Sequence, residues 1–197
     1  MPSSKIASSL ALRDFVYGAQ PAAGTVFYEN FPRDQITTDC AIGATTLITA
    51  VLMPVFPNDL ISKISVCTGA TAGGTGTHNF FVIYSTATVP ALLAQTPDVP
   101  IVTPAANTVI SGTLATPFQI PVGTTSLWIG MLFTGGTIPT LVGKATNLNA
   151  TAAAALNTLT GLTNGLAVTA TGAAGATAPA TMASLTQLAV QPYFLVQ

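Results

Sequence analysis

The sequence predicts an all-β protein, a β-sandwich or jelly roll with an extended N-terminal arm and a long Ala/Thr/Gly-rich insertion before the last strand. Short runs rich in β-branched and aromatic residues recur at roughly ten-residue spacing, separated by Gly, Pro and Asn, and helical periodicity is scarce. Two stretches depart from that rhythm, residues 1–39 and 135–188. They divide the chain into an N-terminal docking arm (1–39) and a β-domain (40–197) that carries the insertion.

Within the arm, Ser8 to Tyr17 reads as a turn or two of helix capped by Ser8 or Ser9. Gly18, Pro21 and Gly24 then interrupt regular structure. Thr25-Val-Phe-Tyr-Glu-Asn-Phe-Pro-Arg33 is aromatic-rich without clean alternation. It fits a segment laid along another surface, with Phe27, Tyr28, Phe31 and Arg33 as interface residues, and equally a segment packed on its own β-domain.

The β-domain begins with Thr45 to Met53, rich in β-branched residues and closed by Pro54 and Pro57. Leu60-Ile-Ser-Lys-Ile-Ser-Val-Cys67 alternates, directing Ile61, Ile64 or Val66 to a core. The run 68–77 reads as a flexible loop before a strand at Asn79–Tyr84. Ala91–Gln95, Val109–Leu114 and Phe118–Ile120 follow as short pieces. Ser126-Leu-Trp-Ile-Gly-Met-Leu-Phe133 is the most apolar strand and the expected centre of the sandwich. Ala152–Leu156 suits a short helix, and Leu188–Val196 a closing strand.

Composition narrows the functions. Charged residues make up 6% of the 197 and the net charge is −1, against roughly a quarter charged in ordinary soluble domains. Hydroxyls and amides must therefore cover the surface, which promotes association. Seven of the eleven charges, Lys5, Arg13, Asp14, Glu29, Arg33, Asp34 and Asp39, lie in the arm. Nothing is basic enough to hold nucleic acid by counterion release. The most apolar run, Ile48–Phe56, is too short to span a bilayer and contains Pro54. Met1–Ala7 opens no secretory apolar segment, so the chain is expected to be cytosolic where it is made. The 135–188 segment has no aromatic residue and almost no charge; it is expected to be ordered against itself or a neighbour.

Chemistry-bearing groups are sparse. His78 is the sole histidine and sits between a Gly-rich loop and a strand, which fits a strand-edge role better than catalysis. Asp34 and Asp39 lie just after Arg33, where pairing with that arginine or solvation explains them. Gly69–Gly76 lacks the order and the Lys-Ser/Thr ending of a phosphate loop. Cys40 and Cys67 lack metal-site spacing and read as free thiols. Trp128, between Leu127 and Ile129, reads as core. The expectation is therefore no enzyme, no cofactor and no metal.

Several blocks, taken together, carry a resemblance. They are Glu29-Asn-Phe-Pro-Arg33; Ile64 to Ala72 followed by Asn79-Phe-Phe-Val-Ile-Tyr84 and Leu92-Leu-Ala-Gln95; Leu127-Trp-Ile-Gly-Met-Leu-Phe133; Ile138-Pro-Thr-Leu-Val-Gly143; and Pro192-Tyr-Phe-Leu-Val196. From Glu29 onward the chain resembles small β-sandwich virion proteins of tailed phages infecting actinobacteria, of the capsid decoration, minor capsid or minor tail type. The resemblance implies a module displayed on a particle, made in the host cytoplasm. Its partners would be the major capsid protein, other virion proteins or further copies of itself, a trimer among the arrangements. A capsid decoration or minor capsid role leads; a minor tail protein or receptor-binding module is the alternative, and a lectin or carbohydrate-active enzyme a distant third. No catalytic residue comes with the resemblance.

Overall fold

A computed structural model of the chain describes residues 28–42, 46–99, 104–145, 167–172 and 175–197. Their strands are β1 (Tyr28–Glu29), β2 (Thr38–Ala41), β3 (Leu47–Pro54), β4 (Leu60–Cys67), β5 (Gly76–Tyr84), β6 (Leu92–Gln95) and β7 (Val109–Gln119). After these come β8 (Ser126–Gly135), β9 (Thr140–Ala145), β10 (Ala167–Thr171), β11 (Thr186–Gln187), β12 (Val190–Pro192) and β13 (Phe194–Val196). They form three antiparallel sheets: sheet A in the order β1-β13-β4-β7, sheet B in the order β12-β9-β2, and sheet C in the order β11-β10-β3-β8-β5-β6. The chain is an all-β sandwich. The expected helices at Ser8–Tyr17 and Ala152–Leu156, and Phe27, lie outside the described residues.

Sheets A and C enclose the main core. Sheet A contributes Ile61, Ile64, Val66, Ile110, Phe194 and Val196, and sheet C contributes Val51, Met53, Phe81, Ile83, Leu127, Ile129, Met131 and Phe133. The β8 run is central, between β3 and β5, and its even-numbered residues from Trp128 to Thr134 are buried as well. Trp128 and Leu132 join Ile48, Phe80, Val82 and Tyr84 in a second core on the far face of sheet C. A strand buried on both faces has no polar side, which is why Ser126–Phe133 reads as a continuous apolar run.

Ile61 and Ile64 lie three positions apart, which strict alternation would put on opposite faces, yet both are fully buried. A register shift reconciles them. Ile61 pairs with Phe118 while Lys63 pairs with Thr113, so β7 carries extra residues there and the alternation resets. Pro117 sits in that irregularity. β7 occupies the edge of sheet A, where a missing N–H breaks no ladder, so the two short pieces expected at Val109–Leu114 and Phe118–Ile120 form one strand.

The structure bears on several of these expectations. First, the described part of the arm belongs to the sandwich. β1 pairs with β13, aligning Tyr28 with Val196, and β2 pairs with β9. Second, the described parts of 135–188 also belong to the sandwich, as a segment ordered against its own chain. It supplies β9, β10 and β11, and residues 175–185 lie across the second core, setting Ala178 and Met182 against it. That apolar seat explains the missing charge. Backbone and side chain fasten this cover: Tyr84 Oη donates to Pro179 O at 2.7 Å, Gln95 Nε2 donates to Ala176 O at 2.7 Å, and Ala178 N donates to Gln95 Oε1 at 2.7 Å. Gln95→Ala is expected to cost roughly 1–2 kcal/mol, since two hydrogen bonds are lost at a half-buried site. Amide exchange should rise in 175–185 before it does in sheet C.

Third, the 68–77 loop is tied down rather than free. Gly69 N donates to Thr140 O at 2.7 Å, Gly73 N to Pro104 O at 2.9 Å and Gly74 N to Thr137 O at 2.8 Å. Glycines allow this close approach: a Cβ on Gly73 would collide with Pro104. The closing segment also splits. β12 pairs with β9 in sheet B, and β13 joins sheet A one residue later, so the chain changes sheets at Tyr193.

Candidate functional site

Because β12 and β13 lie in different sheets, Tyr193 stands at the junction of sheets A and B, and a groove opens beside it. One wall is the outer face of sheet A, with Ser65 and Cys67 of β4, Val109 of β7 and Leu195 of β13. The other is sheet B and its approach, with Ile36, Val142 and Arg33. The groove encloses about 410 Å³ and is overwhelmingly apolar. Volume and lining match what small ligands or the anchoring side chains of a protein partner require.

The groove's polar end is assembled from the former arm. The Arg33–Gln35 3-10 turn follows Pro32, whose fixed φ of −58° suits the entry. Arg33 Nε donates to Tyr193 Oη at 2.9 Å and to Glu29 Oε1 at 3.0 Å, so the exposed guanidinium is charge-balanced locally. Burial and the neighbouring Glu29 push the Tyr193 phenol well above its ordinary range, keeping it neutral. Phe31 lies edge-on to Tyr193 with ring centres 5.5 Å apart, and Lys144 Nζ stands 4.4 Å above the Phe31 ring. Lys144 Nζ also donates to Gln35 Oε1 at 3.0 Å.

Of the expected interface residues, Arg33 reaches this surface. Tyr28 and Phe31 do not: they are 1% and 4% exposed, buried in the chain's own core. Tyr28 Oη donates to Asp59 Oδ2 and accepts from Phe56 N at 3.2 Å. An aromatic residue followed by a proline signals packing in either setting, and only the pairing of β1 with β13 distinguishes them.

The remaining chemistry-bearing residues have structural partners. His78 Nδ1 and Asp98 Oδ2 lie 2.6 Å apart, and Asp98 Oδ1 accepts from Asn79 N at 2.8 Å, stapling residue 98 to the start of β5. Asp39 Oδ2 accepts from Ala70 N at 2.6 Å and so holds the glycine loop. Asp34 lies in the 3-10 turn, and its notional pairing with Arg33 is replaced by that of Glu29. Trp128 is 4% exposed in the second core. Among the described residues no three His, Cys, Asp or Glu side chains are grouped as metal ligands.

Both cysteines are free. Burial and then the Asp39 charge raise the Cys40 thiol to about 11, and the same two causes raise Cys67 in the groove. A thiol whose folded value lies above its unfolded value stabilises the fold fully below the unfolded value. That contribution is lost as pH rises, so stability should fall between about pH 9 and pH 11. Cys40→Ala should remove part of that slope in urea titrations. Iodoacetamide at pH 8 should label Cys67 well before Cys40, since Cys40 is 0% exposed.

Compared with known proteins, the chain matches no family model and no curated sequence.

Proposed function

We propose that this chain is a non-enzymatic structural subunit of a virion, of the capsid decoration or minor capsid type, which binds the phage head surface and stabilises or decorates it. The observation that carries this reading is the apolar groove on an almost uncharged sandwich surface. Such a surface gains free energy by being covered with protein, at roughly 25 cal/mol per Å² of apolar area before association costs. The sequence resemblance to small phage virion proteins points the same way. The outer face of sheet A and the residues preceding Tyr28 would meet the shell or a neighbouring copy.

Quantitative mass spectrometry of purified virions, with heads and tails separated, tests this. The expected result is a copy number comparable with the major capsid protein, in the head fraction. A few copies in the tail fraction would assign the chain to tail assembly or adsorption, and absence from both would overturn a virion role.

A further inference from the structure

The same surface carries a second apolar feature that complements the groove. β7 and β8 are joined through a tight turn in which Thr124 N donates to Pro121 O at 3.1 Å and Gly123 adopts φ +86°. A positive φ at the third position is the geometry of a type II turn, and glycine supplies it without strain. At the tip, Val122 is 83% exposed, the most exposed large apolar residue described, and Leu60 is 55% exposed at the start of β4, which pairs with the end of β7 nearby. The base of the turn is fixed: Ile120 is fully buried, Ile120 N donates to Asp59 O at 2.9 Å, Asn58 N donates to Ile120 O at 2.8 Å, and Val55 N donates to Thr125 O at 3.0 Å. Val122 is thus a rigid apolar knob, and ordering it on binding costs little.

Knob and groove lie at opposite ends of the same two strands. Leu60 pairs with Gln119 at the knob, and Cys67 pairs with Val109 at the groove. Seven residue steps along β4 separate them by about 23 Å, so a chain cannot fill its own groove with its own knob. Charge presents no obstacle to a second copy. Residues 120–125 carry none, the Asp59 carboxylate accepts from Tyr28, and Arg33 is balanced by Glu29 at 3.0 Å.

We propose that the Pro121–Gly123 turn of one copy seats Val122 in the groove between Cys67, Val109, Val142 and Leu195 of the next. This rests on reading the surface as one built to be covered by protein, and names a second copy as an occupant. The contact is heterologous: each copy keeps one free knob and one free groove, so the assembly closes into a ring or continues as a filament. A knob of this size makes a weak pairwise contact. Ring closure, or attachment to a particle, would strengthen it by raising the local concentration.

Cys67 provides the test. Val122→Cys in the otherwise native chain, oxidised with diamide, is expected to give disulfide-linked multimers on non-reducing gels, joining position 122 of one copy to Cys67 of the next. Closure within one chain is barred, because disulfides need Cα atoms within about 7 Å. Adding Cys67→Ser should remove every product beyond the dimer, since a 122–122 bond between two exposed turns links only two chains. Monomer or dimer alone from Val122→Cys, or species beyond the dimer that persist with Cys67→Ser, would overturn the pairing. In parallel, Val122→Asp should weaken self-association of the purified protein at least about tenfold by light scattering, the loss of one buried valine. Unchanged mass, or a wild-type chain that stays monomeric at millimolar concentration, would also overturn it. Both measurements use isolated protein, so their outcome is separate from whether virions contain the chain.

Discussion

Tyr28→Ala is expected to destabilise the sandwich by about 3–5 kcal/mol, the range for removing a large buried aromatic side chain. Tyr28 is 1% exposed and joins the core between sheets A and C, with its ring 6.3 Å from that of Phe56. Its hydroxyl also bridges Asp59 and the Phe56 amide. Total stabilities of domains this size run to roughly 5–15 kcal/mol, so a large fraction would be lost. Tyr28→Phe keeps the ring and should cost about 1–2 kcal/mol. Urea unfolding of the full chain measures both. A detachable arm gives the opposite pattern, in which Tyr28→Ala melts like wild type and loses only its binding to a partner. The same packing predicts that a truncation removing 1–35 damages the fold, because Tyr28, Phe31 and Arg33 leave together.

Where the information for an element is local, the sequence shows it. β4 starts and ends where its alternation does, Pro54 ends β3, and the apolar run at Ser126–Phe133 marks the centre of sheet C. β1 and β2 are different. Two and four residues long, they exist because β13 and β9 are there to pair with, partners about a hundred residues away or more. No local pattern encodes such pairing. Residues 175–185 show the same problem from the other side. Their lack of charge signalled a covered segment, but the covered surface, formed by Phe80, Trp128 and Val168, is brought together only by the sheet.

The groove was the least legible feature. Its walls come from positions near 33, 66, 109, 142 and 194, each ordinary in its own context. The one local clue was Pro192-Tyr-Phe-Leu-Val196, where a proline precedes a run of large side chains. Proline suits a place where a strand leaves one ladder for another, and the change of sheet at Tyr193 opens the groove. Val122 was legible in principle, as an aliphatic residue between Pro121 and Gly123 in a turn, but its exposure follows from the anchoring of Ile120.

Gly143→Ala tests the joint that makes the groove, and is expected to destabilise by at least about 3 kcal/mol, the upper part of the overpacking range. A Cβ at 143 would overlap Cys40 Sγ and Gln191 O, with Pro192 Cα only 3.0 Å away. Neither obstacle yields easily. Cys40 is fully buried, and the Gln191 carbonyl belongs to β12, which is paired with β9 on one side of Gly143 while Thr37 N donates to Gly143 O at 2.9 Å on the other. Combining it with Cys40→Gly should restore only part of the loss, since the backbone obstacle remains; the two changes should be coupled by at least about 1 kcal/mol. Gly136→Ala is the control, because nothing lies within 4 Å of its Cβ, and it should be neutral or slightly stabilising. If Gly143→Ala proved as mild as the control, β12 could shift away from β9 at little cost, and sheet B would be too loose to hold Val142 and Tyr193 as a groove wall. A large loss with partial rescue makes the sheet junction rigid, and a rigid groove is what lets an apolar knob bind without first ordering its receptor.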